Sequence, residues 1–118
     1  MSEFDVSRLV QNSYSRVRSQ RAESVLECAQ LLLAELEQQE VEIKALSASL
    51  PEEHEATQFF MIESCVILKV HHPEHDVHAH TQILRELLST HQIELGLWLN
   101  FSAPTELSGI KKFLQAVP

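Results

Sequence analysis

The sequence predicts an α/β protein in which helices cover a mixed β-sheet, and two patterns lead to this prediction. Apolar residues recur at three- and four-residue spacing in three segments, which is typical of amphipathic helices. Short apolar runs bounded by turn residues lie between and after those segments, which is typical of strands. The predicted order is α-α-β-β-β-α-β followed by an edge strand, within one domain spanning residues 1–118.

Three helices are predicted from the apolar spacing. The first covers residues 5–18 and the second covers residues 22–38, where leucines dominate the stripe. The third covers residues 74–91. Its predicted buried stripe consists of Val77, His80, Leu84, Leu87, Leu88 and His91.

Five strands are predicted. In residues 41–46 the alternation places Val41, Ile43 and Ala45 on one buried face. Residues 58–62 and 65–70 form two apolar runs joined by Glu63-Ser64, which predicts a tight hairpin. The second run lacks alternation, as expected of a strand covered on both faces. Residues 93–101 predict the longest strand, residues 110–114 predict an edge strand, and residues 51–55 predict a solvated turn.

Charge and composition narrow the range of functions. The chain has 118 residues with 17 acids and nine bases, giving a formal charge of −8, which disfavours general binding to nucleic acid. No apolar run is long enough to span a membrane, so we expect a cytoplasmic protein without membrane partners. The one basic segment carries Arg8, Arg16, Arg18 and Arg21, so a non-catalytic nucleic-acid binder that uses the first helix stays open as a hypothesis.

Residues 71–80, HHPEHDVHAH, hold five of the seven histidines. One hypothesis is a divalent-metal site (Mg, Mn or Zn) formed by His71, His75, His78 and Asp76. A solvated turn and a proton switch near neutral pH are the alternatives. His80 falls in the apolar stripe, where a hydrogen-bonded core histidine is expected.

Two stretches resemble a known family. Residues 95–104 read LGLWLNFSAP and are followed by GIKK at residues 109–112, while residues 23–29 read ESVLECA. These strings resemble the GxxExxY proteins, small bacterial relatives of the PD-(D/E)XK nuclease superfamily. The resemblance implies a restriction-endonuclease-like core over roughly residues 5–114. The naming motif itself is incomplete, because Gln20, Glu23 and Leu26 stand where the family has Gly, Glu and Tyr.

The same resemblance locates the catalytic positions of the family. Nucleases of this superfamily hold a divalent cation with an Asp on one hairpin strand and a Glu on the next, and a Lys follows two residues later. The alignment without gaps puts Phe59, Lys69 and His71 at those three places. Glu23 is the surviving family glutamate, and Gln82 lies within one residue of a family glutamine.

These substitutions predict that catalysis by the family's mechanism is lost, because a phenyl ring and a lysine supply no oxygen ligand to a hard cation. The first hypothesis is therefore an inactive relative that needs no cofactor and serves as a binding or assembly module, expected as a homodimer. The alternative is a metal-dependent nuclease or phosphodiesterase with a rebuilt histidine-rich centre.

Overall fold

The computed structural model describes residues 2–20, 22–46 and 59–116. Its element order is α1 (Glu3–Ser19), α2 (Val25–Gln38), β1 (Ile43–Leu46), β2 (Phe59–Ile62), β3 (Val66–Val70), α3 (Val77–His91), β4 (Leu95–Leu99) and β5 (Ile110–Leu114). This is the predicted order, so the α/β class is confirmed. The predicted turn at residues 51–55 lies outside the described residues.

The five strands form one mixed sheet in the order β1-β2-β3-β4-β5. All neighbouring pairs are antiparallel except β3 and β4, which are parallel and are connected through α3. A parallel pair requires a crossover connection, and a helix is its usual form. The carboxyl ends of β3 and β4 therefore lie side by side at one end of the sheet.

Polar side chains define the starts of all three helices. The side chains of Ser2, Ser24 and Asp76 accept hydrogen bonds from the backbone N–H groups of Asp5, Glu27 and Ala79, respectively. Such caps satisfy N–H groups that have no partner inside a helix. The third helix was predicted to begin at residue 74. It begins at Val77 because Asp76 caps it, so the preceding histidine-rich residues form a turn.

Helices cover both faces of the sheet, and alternate strand residues divide between two apolar clusters. One cluster joins α1 and α2 to side chains of β2, β3 and β4, including Phe60, Leu68 and Leu97. The other joins α3, through Leu84 and Leu88, to the opposite side chains of the same strands. We call these the α1/α2 face and the α3 face. All five residues of β3 and of β4 are buried, which confirms the prediction for β3.

The predicted burial of two residues, Ala45 and Val77, is wrong. Ala45 is exposed whereas Leu46 is only 4% exposed, because β1 contributes Leu46 to the cluster under α3. Val77 was predicted in the buried stripe of the third helix, but it is 45% exposed because it lies at the very start of that helix. Within the described ranges, no helix is long and apolar enough to cross a membrane.

Candidate functional site

The β2–β3 hairpin brings two of the predicted site residues face to face. Glu63 and Ser64 both adopt positive φ, as the turns of tight hairpins often require, and the N–H of Cys65 donates to the carbonyl oxygen of Ile62 at 3.0 Å. The resulting register pairs Phe59 with Lys69. Both side chains are fully buried, and the Lys69 Nζ lies 4.9 Å from the centroid of the Phe59 ring.

No carboxylate occupies either place in this pair. The predicted catalytic Asp position carries a phenyl ring, and the predicted Glu position carries an amino group. Neither side chain offers the oxygen atoms that Mg²⁺ or Mn²⁺ takes as ligands. These two residues therefore do not fit the divalent cation that the family resemblance implies.

His71 follows β3 directly, at the predicted lysine position. Its backbone N–H donates to the carbonyl oxygen of Leu99 at 2.8 Å, which continues the parallel ladder by one residue. The indole Nε1 of Trp98 donates to the His71 Nδ1 at 3.3 Å. An indole nitrogen can only donate, so His71 carries no proton on Nδ1 in this bond.

Electrostatics also favour the neutral form of His71. Burial lowers the pKa of His71 below its ordinary value of 6.5, and the neighbouring His72, Lys69 and Lys111 lower this pKa further. At neutral pH the ring is an uncharged imidazole with its proton on Nε2. It lies half-buried at the end of the sheet where β3 and β4 both finish.

Three histidines and Phe59 form a stack of rings between the turn and β2. The ring centroids are 4.7 Å apart for His72 and His75, 4.5 Å for His75 and His80, and 5.9 Å for His80 and Phe59. The interplanar angles are 29°, 8° and 20° in the same order. The Lys69 Nζ lies 3.4 Å from the His75 Nδ1, beside the stack. We call these four rings the imidazole stack.

The imidazole stack contains three of the five histidines of residues 71–80. His80 is a residue of the first turn of α3 and is only 2% exposed, so its predicted burial is confirmed. Planar rings in contact bury a large area while keeping ring nitrogens at the edges for hydrogen bonds. The stack therefore fills the space between the histidine-rich turn and the α3 face of the sheet.

The four predicted metal ligands have different contacts. His71 accepts from Trp98, and His75 lies beside Lys69. The Asp76 Oδ1 accepts from the Ala79 N–H at 3.1 Å and caps α3. His78 is exposed, and its Nε2 lies 3.2 Å from the Gln82 Nε2 on the outer side of α3. In the described part of the chain, no three side chains among His, Cys, Asp and Glu are grouped to hold a metal ion.

Glu23 lies elsewhere. It is exposed just before α2, where its backbone N–H donates to the Glu27 Oε2 at 3.1 Å. It borders an open cavity of about 300 Å³ lined by Ala22, Glu23, Ser24, Val25, Cys28, Phe101 and Ser102. Because α2 packs on the α1/α2 face, Glu23 and the Phe59–Lys69 pair lie on opposite faces of the sheet.

The cysteine of that cavity is not an activated nucleophile. Burial raises the pKa of the Cys28 thiol above its ordinary value of 9.0, and the adjacent Glu27 carboxylate raises it further. The thiol therefore stays protonated at neutral pH, and the reactive species of a cysteine is the thiolate.

Trp98 was not among the predicted site residues, and its side chain is buried, with 6% exposed. The parallel register pairs Trp98 with Lys69, so its indole lies on the same face as the predicted catalytic positions and reaches His71. The neighbours of β4 in the sheet had to be known before this contact was visible.

No protein-family model, no curated protein and no solved structure matches this chain.

Proposed function

We propose that this chain is a catalytically inactive relative of the GxxExxY proteins, built on a PD-(D/E)XK nuclease-like core and acting as a binding or assembly module. The order of the elements supports this proposal. An antiparallel three-stranded unit is followed by a helix and a parallel fourth strand. The family resemblance implies a mixed sheet with elements in the order helix, helix, strand, hairpin, helix and strand, and the element order of this chain agrees with it.

The observation that carries the proposal is the pairing of Phe59 with Lys69. The alignment with the family places its catalytic Asp and Glu at these two positions, and the hairpin register makes the two residues neighbours. The pair supplies no carboxylate oxygen, so a divalent cation has no ligands there. Both side chains are also fully buried, so a phosphodiester has no access to them.

Cleavage assays test the loss of catalysis. The full chain is incubated with duplex DNA, single-stranded DNA and RNA in Mg²⁺, Mn²⁺ or Zn²⁺. We expect no cleavage above that of the buffer with any ion. His71→Ala is the informative variant because His71 occupies the predicted lysine position, and His91→Ala is the matched control because that half-buried histidine lies at the far end of α3.

One outcome of these assays would contradict the proposal. Cleavage that depends on a metal ion, is lost in His71→Ala and is kept in His91→Ala would establish a phosphodiesterase with a rebuilt histidine-rich centre.

The predicted homodimer is checked separately by light scattering of the full chain, and a monomeric mass would contradict it. A cytoplasmic location stays a prediction.

A further inference from the structure

The outer edge of β5 is open. Within the described residues β5 pairs with β4 alone and is the last strand of the sheet. The N–H of Asn100 donates to the carbonyl oxygen of Gly109, and the N–H of Gln115 donates to that of Glu94, both at 2.8 Å. The odd-numbered residues of segment 109–115 therefore direct their backbone N–H and C=O groups toward β4.

The even-numbered residues turn theirs the other way, because these directions alternate along an antiparallel strand. The N–H and C=O groups of Lys112 and Leu114 accordingly point to the open side. No backbone hydrogen bond of the described chain occupies them. An edge of this kind is a template to which another extended segment can add.

Basic side chains surround this strand on both faces. On the α3 face, the Arg85 guanidinium and the Lys111 Nζ lie 5.2 and 5.9 Å from the centroid of the Phe113 ring. On the α1/α2 face, an open cavity of about 270 Å³ joins α1 to β5. Its lining contains two cations and no acid: Phe4, Ser7, Arg8, Gln11, Asn12 and Lys112.

This concentration contrasts with the rest of the chain. Arg8, Arg85, Lys111 and Lys112 are four of the nine basic residues in a chain of formal charge −8, and β5 itself contains no acid. The acids Glu3 and Asp5 occupy the first turn of α1, but neither lines the cavity. The edge therefore presents an attractive local potential to a negatively charged segment.

The same edge exposes apolar area. Leu114 is 74% exposed and projects on the same face as Lys112, two residues away. Phe4, which lines the cavity, is 71% exposed. An occupant that matches this face carries carboxylates beside Arg8 and Lys112 and an apolar side chain over Leu114.

We propose that the open edge of β5 is the docking site for an extended acidic segment of a partner protein, which adds to the sheet as a sixth strand. This inference rests on the binding role proposed above and identifies the surface and the chemistry of the partner. Backbone hydrogen bonds to Lys112 and Leu114 supply the pairing, and the surrounding cations select negatively charged strands.

A second copy of this chain fits the edge poorly. In an antiparallel β5–β5 pair centred on the strand, Lys111 or Lys112 faces a lysine of the other copy, and like charges directly opposite one another destabilise a sheet. Lysines on an edge strand are a common protection against such pairing. The same lysines that repel another copy attract an acidic segment.

The test is an NMR titration of the ¹⁵N-labelled full chain with a capped octapeptide whose odd positions are valine and glutamate in turn and whose even positions are threonine, so that valine and glutamate share one face of the strand. We expect shifts centred on β5 and slower hydrogen exchange at the Lys112 and Leu114 amides, which attraction to the side chains alone would not produce. A valine–lysine octapeptide is the charge control. A valine–glutamate peptide with every backbone nitrogen methylated keeps the charge but can donate no backbone hydrogen bond from either edge, so neither control is expected to bind.

Charge reversal locates the site on the protein. Lys112→Glu should weaken binding of the valine–glutamate peptide about tenfold, because an attraction is replaced by a repulsion. Lys44→Glu is the matched control, since Lys44 is an exposed lysine of β1, the strand at the other end of the sheet, and this variant should bind as the unchanged chain does.

Three results would overturn the inference: no binding of the valine–glutamate peptide, equal binding of the methylated peptide, or equal weakening by Lys44→Glu. Sedimentation showing a dimer that Lys112→Glu dissociates would also overturn it, because the occupant would then be a second copy. The cleavage assays are unaffected by these outcomes, so failure of the docking site and failure of the proposed inactivity are distinguishable.

Discussion

Replacing Gly109 with alanine tests the packing at the junction between α1 and the β4–β5 connection. Gly109 is buried, and its carbonyl oxygen accepts from the Asn100 N–H. A methyl group at this position would lie 2.0 Å from the Tyr14 hydroxyl oxygen and 2.6 Å from the Asn100 carbonyl oxygen. Neither distance is compatible with an unmoved structure, so Tyr14 or the backbone must shift.

The cost follows from what Tyr14 does there. Tyr14 is fully buried, and its hydroxyl donates to the Asn100 carbonyl oxygen at 2.6 Å while accepting from Arg18 at 3.2 Å. Overpacking a core typically costs about 1–3 kcal/mol. Loss of the tyrosine bond adds about 1 kcal/mol. We therefore expect Gly109→Ala to lower the free energy of unfolding by about 3 kcal/mol.

Gly96→Ala is the matched comparison. A methyl group there would meet only side-chain carbons, those of Leu84 and Leu88, at 3.2–3.3 Å. These leucines adjust by small rotations, so we expect a cost of about 1 kcal/mol. Urea unfolding followed by Trp98 fluorescence measures both variants. A cost for Gly109→Ala no larger than that for Gly96→Ala would refute the predicted clash with Tyr14.

A double-mutant cycle identifies the atom responsible. Tyr14→Phe removes the hydroxyl oxygen and should cost about 1 kcal/mol alone. In the background of Gly109→Ala it should cost less, with a coupling of about 1 kcal/mol between the two sites. Simple additivity would mean that the methyl group and the hydroxyl do not meet.

Three further predictions concern the imidazole stack and its surroundings. Burial holds the pKa of His71 in the folded chain below 6.5, so the unfolded chain takes up the proton first as the pH falls. The free energy of unfolding should therefore decrease below about pH 6.5. In urea titrations His71→Gln should reduce this pH dependence, and a steeper dependence in the variant would contradict the prediction. Asp76→Ala should cost about 1 kcal/mol in thermal unfolding through loss of the α3 cap, while Asp76→Asn should retain most of the stability, and equal losses would argue against a capping role. Phe59→Ala should cost about 3–5 kcal/mol, since this ring is fully buried against His80 and Lys69; Phe4→Ala, at a ring 71% exposed, should cost under about 0.5 kcal/mol, and similar values for the two would refute the packing argument.

Local sequence patterns predicted much of the architecture because each depends on neighbouring residues. The edge strand predicted at residues 110–114 has the observed bounds, and the turn predicted at Glu63 and Ser64 closes the β2–β3 hairpin. A two-residue turn at Glu63 and Ser64 would pair Phe59 with Leu68. In the structure Cys65 also belongs to the turn, so Ile62 pairs with Val66 and Phe59 pairs with Lys69. The exact hairpin register was therefore decided by the structure. The family relationship itself stays a prediction.

The candidate site was less accessible to the sequence. Five histidines within ten residues suggested a common ligand, but the structure divides them between the imidazole stack, a bond from Trp98 and the outer side of α3. Which ring faces which neighbour depends on the start of α3. The cap at Asp76 sets that start three residues later than the apolar spacing predicted.

The sequence by itself determined the fold class, the order of the elements and the absence of carboxylates from the positions predicted to be catalytic, because these follow from local periodicity and residue identity. Only the tertiary structure decided that Trp98 meets His71, that Leu46 rather than Ala45 is buried, and that basic side chains from α1, α3 and β5 converge on one open edge. These contacts join residues far apart in the chain, so their formation depends on strand order and on which face each helix covers. No local pattern of residues encodes that information.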